Sequence, residues 1–294
     1  MKLGNRLSIL SNASSMDLVH EPYPHLVIEN ALDPALFDEL EATFPDDALV
    51  VNERPVADTW FDYPACKVLN NHGISPLWQD FFRYHTSTAF FRELTSLAGP
   101  ALLQLNPDLE ARVGRRLDQF NVGMRPGGKE NVLAPGADVS MECQFYVNYT
   151  RQPRTVRGPH VDRASELFAA LLYFRQSNDD SSGADLHICE ADHALYDDGG
   201  KSIRIAALPA EVDPSAVKTV RTARYKANTL VLFLNSARSI HAVSPRSPTA
   251  LTRRHVNFCC DVNFDLFQIH APARLALKKT LQSLPLGWRL ARYL

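Results

Sequence analysis

Residues 157–174 read RGPHVDRASELFAALLYF. His160 and Asp162 stand two positions apart, and if they open a strand their side chains project to the same face. Converging donors of that kind are what a metal site needs. With 10 histidines in 294 residues the spacing also arises by chance, so its meaning rests on what surrounds it. The run that follows, 166–174, is apolar and bounded by polar residues, as a buried strand would be.

Outward from this stretch the chain reads as a β-rich body. Short runs of Val, Ile, Phe and Tyr alternate with turn clusters such as RPGGKEN, NDDSSGAD and DDGG from about residue 113 onward. They predict strands over 142–149, 166–174, 184–190, 202–207, 216–222, 228–234, 239–243 and 253–263. That many strands without intervening helices imply an antiparallel sandwich or barrel.

The first part reads differently. After a short strand in HLVIENAL, Asp33 and Pro34 open a helix as N-cap and N1, with Leu36, Phe37, Leu40 and Phe44 at helical spacing. Residues 76–98 predict a second helix, and LLQLNPDLEARV a third that breaks around Asn106-Pro107. FQIHAPARLALKKTLQSL predicts a return to helix. The chain is read as one domain, 1–294: a mainly helical layer (1–112), a β-core carrying the site (113–265) and a C-terminal helix (266–294). The fold class is thus an all-β core with flanking helices, α+β.

Composition narrows the function. Hydrophobic residues make up 45% and charged residues 22%, the net charge is −2, and no long basic run occurs, which argues against nucleic acid as a partner. The five cysteines form no C-x-x-C pair and fit free thiols in a reducing compartment. The N-terminus has no apolar core of signal-peptide length, and no run of 18 apolar residues offers a membrane span. A cytoplasmic protein is expected; its oligomeric state is not legible.

A facial metal site needs a third donor from a distant strand, and His241 in VLFLNSARSIHAVSPR is the best candidate. Two imidazoles and a carboxylate with open positions opposite suit non-haem iron(II), and zinc binds a similar set. Downstream, Arg253-Arg254-His255 opens another strand. An arginine facing a barrel interior is costly unless it meets an anion, and its fork fits a carboxylate.

Taken in order, Pro159-His160-Val-Asp162, Leu171-Leu-Tyr173-Phe174, the run from Leu230 through Phe233, Asn235 and His241 to Pro245, and Arg253-Arg254-His255-Val256 resemble the 2-oxoglutarate/iron(II) dioxygenases. The likeness is to their prolyl-4-hydroxylase-like branch. HEPYPHLVIENALDPALFDELEATFP resembles that family's leading strand and helix. The resemblance implies a double-stranded β-helix (jelly-roll or cupin-like) and iron(II) held by His160, Asp162 and His241. It also implies 2-oxoglutarate with O2 as cosubstrates, the oxo acid's far carboxylate being anchored by Arg253.

The spacing from His241 to Arg253 is longer than usual in the branch, which leaves Arg254 as an alternative anchor. Tyr173 and Tyr149 match positions that carry hydroxyls around the cosubstrate, although strand alternation puts Tyr149 on the face opposite Gln144, Tyr146 and Asn148. Gln144, Arg163 and His255 are candidates to meet substrate. His187, His193 and His270 match no role.

With Asp162 present the implied reaction is hydroxylation of an unactivated C–H in a small molecule such as an amino acid or biosynthetic intermediate. A peptide-directed, prolyl-type hydroxylase would share the cofactor residues. A zinc hydrolase would use the same donors without needing Arg253, and a cupin-like binding module would need neither.

Overall fold

The computed structural model describes residues 6–54, 60–128, 132–152, 157–207 and 209–272. The strands in chain order are β1 (His25–Glu29), β2 (Trp60–Pro64), β3 (Val122–Met124), β4 (Val139–Asn148), β5 (Glu166–Tyr173), β6 (Leu186–Ala191) and β7 (Tyr196–Asp197). They continue as β8 (Ser202–Arg204), β9 (Val217–Ala223), β10 (Thr229–Leu234), β11 (His241–Val243), β12 (Arg253–Asp261) and β13 (Gln268–His270). With helices packed on one side, the fold is α+β.

One large sheet runs β1-β10-β5-β12-β4-β2, antiparallel throughout, with β3 added parallel to β4. A second sheet, β11-β6-β9, lies over part of it, and a third joins β13, β8 and β7. Alternation along each strand divides the large sheet into two faces. Met141, Cys143, Phe145 and Val147 of β4, with Val256, Phe258 and Cys260 of β12, face the helices. Ala169 and Tyr173 of β5 and Val231 and Phe233 of β10 face the second sheet, where they meet Leu186, Ile188 and Tyr225.

The helical side follows from local signals. Asp33 accepts hydrogen bonds from the Ala35 and Leu36 amides and caps helix Pro34–Ala42, which buries Leu36, Phe37 and Leu40. Ser75 caps helix Pro76–His85, and Trp78, Phe81, Phe82 and His85 form its buried stripe. Trp78 donates through Nε1 to Leu40 O at 3.1 Å and packs on Phe145 and Phe174. Each such buried ring contributes roughly 1.5–3 kcal/mol.

The single helix expected over 76–98 is two. Thr86 Oγ1 bonds back to Phe82 O, and Ser87 caps a new helix, Thr88–Leu105. That helix ends before Asn106-Pro107, and a short one, Leu109–Val113, follows.

Two boundaries differ from the sequence reading. β2 lies within the stretch read as helical, and it completes the large sheet by pairing with β4. Gln268–His270 were read as the start of a helix but form β13, parallel to β8. In both cases a neighbouring strand offers the backbone its partners, and pairing overrides local propensity. The rest of the expected C-terminal helix, from 273 on, lies outside the described residues. All five cysteines are unpaired, as expected, four of them buried. No helix among the described residues is long and apolar enough to cross a membrane.

Candidate metal centre

The segment before β5 lies against β11. His160 and His241 exchange backbone hydrogen bonds, N to O, at 3.0 Å in both directions, so their side chains leave on the same side. Asp162, two residues on, returns to that side. The donor atoms of His160, Asp162 and His241 all lie within 4.8 Å of one another. His160 Nε2 is 3.8 Å from Asp162 Oδ1, and His241 Nε2 is 3.7 Å from Asp162 Oδ2.

The other nitrogen of each ring is already used. His160 Nδ1 donates to Gly158 O at 2.7 Å and His241 Nδ1 to Ser239 O at 3.0 Å. A carbonyl can only accept, so the proton sits on Nδ1 and Nε2 keeps its lone pair toward the cluster. Burial depresses the proton affinity of both imidazoles, in His160 well below the usual range with help from His241 and Arg157. Two neutral imidazoles and a carboxylate converging on one point fit a divalent transition metal. Phe233, from the large sheet, closes one side with its ring 4.5 Å from that of His241.

β12 carries the next layer. Arg253, His255, Asn257, Cys259 and Asp261 alternate onto the face opposite the helices; in register, His255 lies between Tyr146 and Tyr173, and Asn257 between Gln144 and Leu171. Arg253 is 1% exposed. Its Nε donates to Ala184 O (3.2 Å), Nη1 to His255 Nδ1 (3.2 Å) and Nη2 to the Tyr173 hydroxyl (3.1 Å). Its guanidinium also lies over the rings of Tyr173 and Tyr225. No carboxylate among the described residues pairs with it.

Arg254 points the other way, to Asp47 at 3.0 Å and over Phe44 on the helical side. The longer loop between His241 and Arg253 has its own use. Arg246, fully buried, bonds Asp179 at 2.8 Å, Ser181 Oγ at 2.9 Å and Leu251 O at 3.0 Å. Gly183 (φ +78°) makes this loop's close approach possible, since a Cβ there would stand 1.9 Å from Pro245 O.

The structure thus gathers Tyr173, His255 and Gln144 on the metal-facing side of the sheet with Arg253. Two expected residues are not brought there. Tyr149 falls past the end of β4 on the helical side, edge-on to Phe61 at 5.9 Å, because alternation sends it opposite to Tyr146. Arg163 is drawn into ion pairs with Glu166 and with Asp261 at 3.2 Å, so it stands among protein carboxylates. Sequence reasoning missed Arg157 and Glu211, which flank the donors: Arg157 Nη1 lies 3.8 Å from Asp162 Oδ1, and Glu211 is paired opposite His160. No periodicity could have pointed to Glu211, whose approach is made by long-range backbone pairing.

No family model matches the chain, and no curated protein matches its sequence. Solved structures similar to it include a prolyl 4-hydroxylase from Phytophthora capsici, 13% identical, with a TM-score of 0.42, covering 88% of this chain and 64% of that one. A Pseudomonas putida prolyl-4-hydroxylase is 14% identical, with a TM-score of 0.35, covering 88% and 92%. HygX from Streptomyces hygroscopicus, solved with nickel and 2-oxoglutarate bound, is 13% identical, with a TM-score of 0.34, covering 82% and 83%.

Proposed function

We propose that this chain is an iron(II)- and 2-oxoglutarate-dependent dioxygenase built on a double-stranded β-helix, and that it hydroxylates an unactivated C–H of a small molecule such as an amino acid or biosynthetic intermediate. The observation that carries the reading is Arg253: a sealed guanidinium without a carboxylate partner among the described residues, on the sheet face that meets the His-Asp-His cluster. Three of its N–H groups are spent on neutral acceptors. A guanidinium has five, so one remains on each terminal nitrogen, the pair that grips a carboxylate from two points.

His160, Asp162 and His241 would hold the metal, and Arg253 with the Tyr173 hydroxyl would hold the far carboxylate of the oxo acid. When bound, iron(II) would supply the oxidising chemistry by which O2, 2-oxoglutarate and a substrate C–H give succinate, CO2 and the hydroxylated product, one oxygen atom of O2 entering succinate and the other the product. The protein's share is orientation and dryness. The Gly158 and Ser239 carbonyls lock the imidazoles, Phe233 keeps water from one flank, and Tyr173, tied to Arg253, fixes the angle at which the fork meets its anion. Gln144 and His255 stand where substrate or cosubstrate would pass. A small-molecule substrate and a cytoplasmic setting complete the reading, and a peptide-directed hydroxylase is its alternative.

The test needs no substrate. Metal-free protein is mixed anaerobically with iron(II), and 2-oxoglutarate is titrated while the visible spectrum is recorded. A saturable charge-transfer band that disappears in His160→Ala supports the reading. No band, together with tight zinc binding, would replace it with a zinc hydrolase.

A further inference from the structure

His160 has backbone neighbours on both sides. One is His241; the other is Glu211, directly opposite it in an antiparallel bridge. Residues so opposed send their side chains to the same face, so Glu211 stands beside His160 much as His241 does. Gly158 makes room for it, since a Cβ there would come within 3.3 Å of Glu211 Oε2. Arg157 completes the group, with Nε 3.6 Å from Glu211 Oε1 and Nη1 3.8 Å from Asp162 Oδ1.

Two features separate this pair from the sealed ion pairs of the molecule. The side chains of Arg157 and Glu211 are 38% and 30% exposed. Both contacts of Arg157 are longer than a hydrogen bond, and among the described residues neither side chain makes one. A guanidinium with all its donors unspent and a carboxylate with both oxygens unspent therefore stand together beside the metal donors. An ordinary surface pair gives little stability, and nothing in surface solvation calls for one to be built against a metal-ligand carboxylate and opposite a metal-ligand histidine.

We propose that Arg157 and Glu211 recognise the substrate of this site, and that the substrate is a small zwitterion bearing a carboxylate and an ammonium on one carbon, as a free α-amino acid does. The proposal rests on the dioxygenase reading. The Arg157 fork takes the carboxylate, Glu211 takes the ammonium, and the two are spaced for groups that neighbour each other on the ligand. An internal residue of a peptide has neither charge, and a carrier-bound amino acid has lost its carboxylate. Either would leave one or both side chains with only long ion-pair contacts and no hydrogen-bonding partner as water is excluded, a poorer match than the zwitterion supplies.

The wild-type complex with iron(II) and 2-oxoglutarate is formed anaerobically and its charge-transfer band followed while pools of the standard free amino acids are added. The same compounds as N-acetyl and carboxamide derivatives form the second arm. At least one free amino acid is expected to perturb the band, with either cap weakening it about 30-fold or more. Arg157→Gln and Glu211→Gln are each expected to weaken the same perturbation by about 30-fold or more.

A band that forms but responds to no free amino acid overturns the proposal and leaves the dioxygenase reading standing, as does a response to capped compounds alone. A band lost altogether in Glu211→Gln would assign Glu211 to holding the metal and overturn the proposal. No band in the wild type removes the reading and the proposal together.

Discussion

The two ends of β12 hold buried guanidinium groups in opposite circumstances. At its start Arg253 lies among neutral acceptors, Tyr173, His255 and Ala184 O, and over two tyrosine rings. At its far end Asp261 binds Arg125, which is 2% exposed and also meets Cys259 Sγ at 2.9 Å and Glu142 at 4.0 Å. Arg163 and Glu166 extend that second cluster. Both ends lie on the same face of the same sheet, and both have removed a charge from water. One matches it with protein carboxylates, which is a structural solution. The other meets no carboxylate among the described residues, and the proposed function gives it that of the oxo acid. Burial alone therefore does not mark a binding arginine, and the proposed role of Arg253 rests on burial without a counter-charge among the described residues.

Exchanging each arginine for methionine is the sharpest way to break this contrast. Arg125→Met strands Asp261 and its neighbours, and should cost about 3–5 kcal/mol in denaturant unfolding. Arg253→Met strands no carboxylate. It leaves neutral acceptors without a donor and should cost less in unfolding, about 1–3 kcal/mol, while weakening 2-oxoglutarate about 30-fold or more, read from the charge-transfer titration, with iron(II) affinity little changed. Equal destabilisation by the two would show that Arg253 is structural after all. Loss of cosubstrate binding in Arg254→Met and its retention in Arg253→Met would move the anchor to the neighbouring residue.

Glu142 offers a finer probe of the charge-matched end. Burial pushes its carboxyl up to about 7 from an ordinary 4.5, with Arg125 pulling in the other direction. A raised carboxyl pKa favours the folded state fully below the unfolded value, and that contribution is lost as pH rises through the folded one. Wild-type stability should thus fall by up to about 3 kcal/mol between about pH 5 and about pH 8 from this group. Glu142→Gln keeps an oxygen for the Ala65 and Cys143 amides that now bond Oε1, and should flatten that slope in urea unfolding followed across pH. An unchanged slope would assign the pH dependence to another member of the cluster.

The smallest effects test which side of the sheet matters. Tyr173→Phe removes one hydroxyl from the Arg253 shell and should weaken 2-oxoglutarate about 3- to 10-fold. Tyr149→Phe, on the helical side, should leave that affinity within about 2-fold. Equal losses would mean that Tyr149 reaches the cosubstrate from a position that the apparent strand alternation denies it.

Much of this was legible in advance, and the exceptions have physical causes. The His160–Asp162 pair could be read because strand alternation puts i and i+2 on one side, and His241 because the order of motifs pointed to it. For Tyr149 two readings competed, the family match placing it at the cosubstrate and strand alternation placing it on the opposite face; the alternation holds one residue past the end of β4. Arg163 looked available beside Asp162 because nothing in a linear reading reveals Asp261 waiting across the sheet.

By itself the sequence determined which stretches would bury which residues: the capped helices with their aromatic stripes, the alternating strands, and a donor pair fit for a metal. These are local consequences of periodicity, capping and side-chain chemistry. Only the tertiary structure decided that Arg253 faces the second sheet and Arg254 the helices, that β2 closes the sheet edge, and that Glu211 stands beside His160. Each of those depends on backbone pairing between segments far apart in the chain, and such pairing has no signature in the residues taken one neighbourhood at a time.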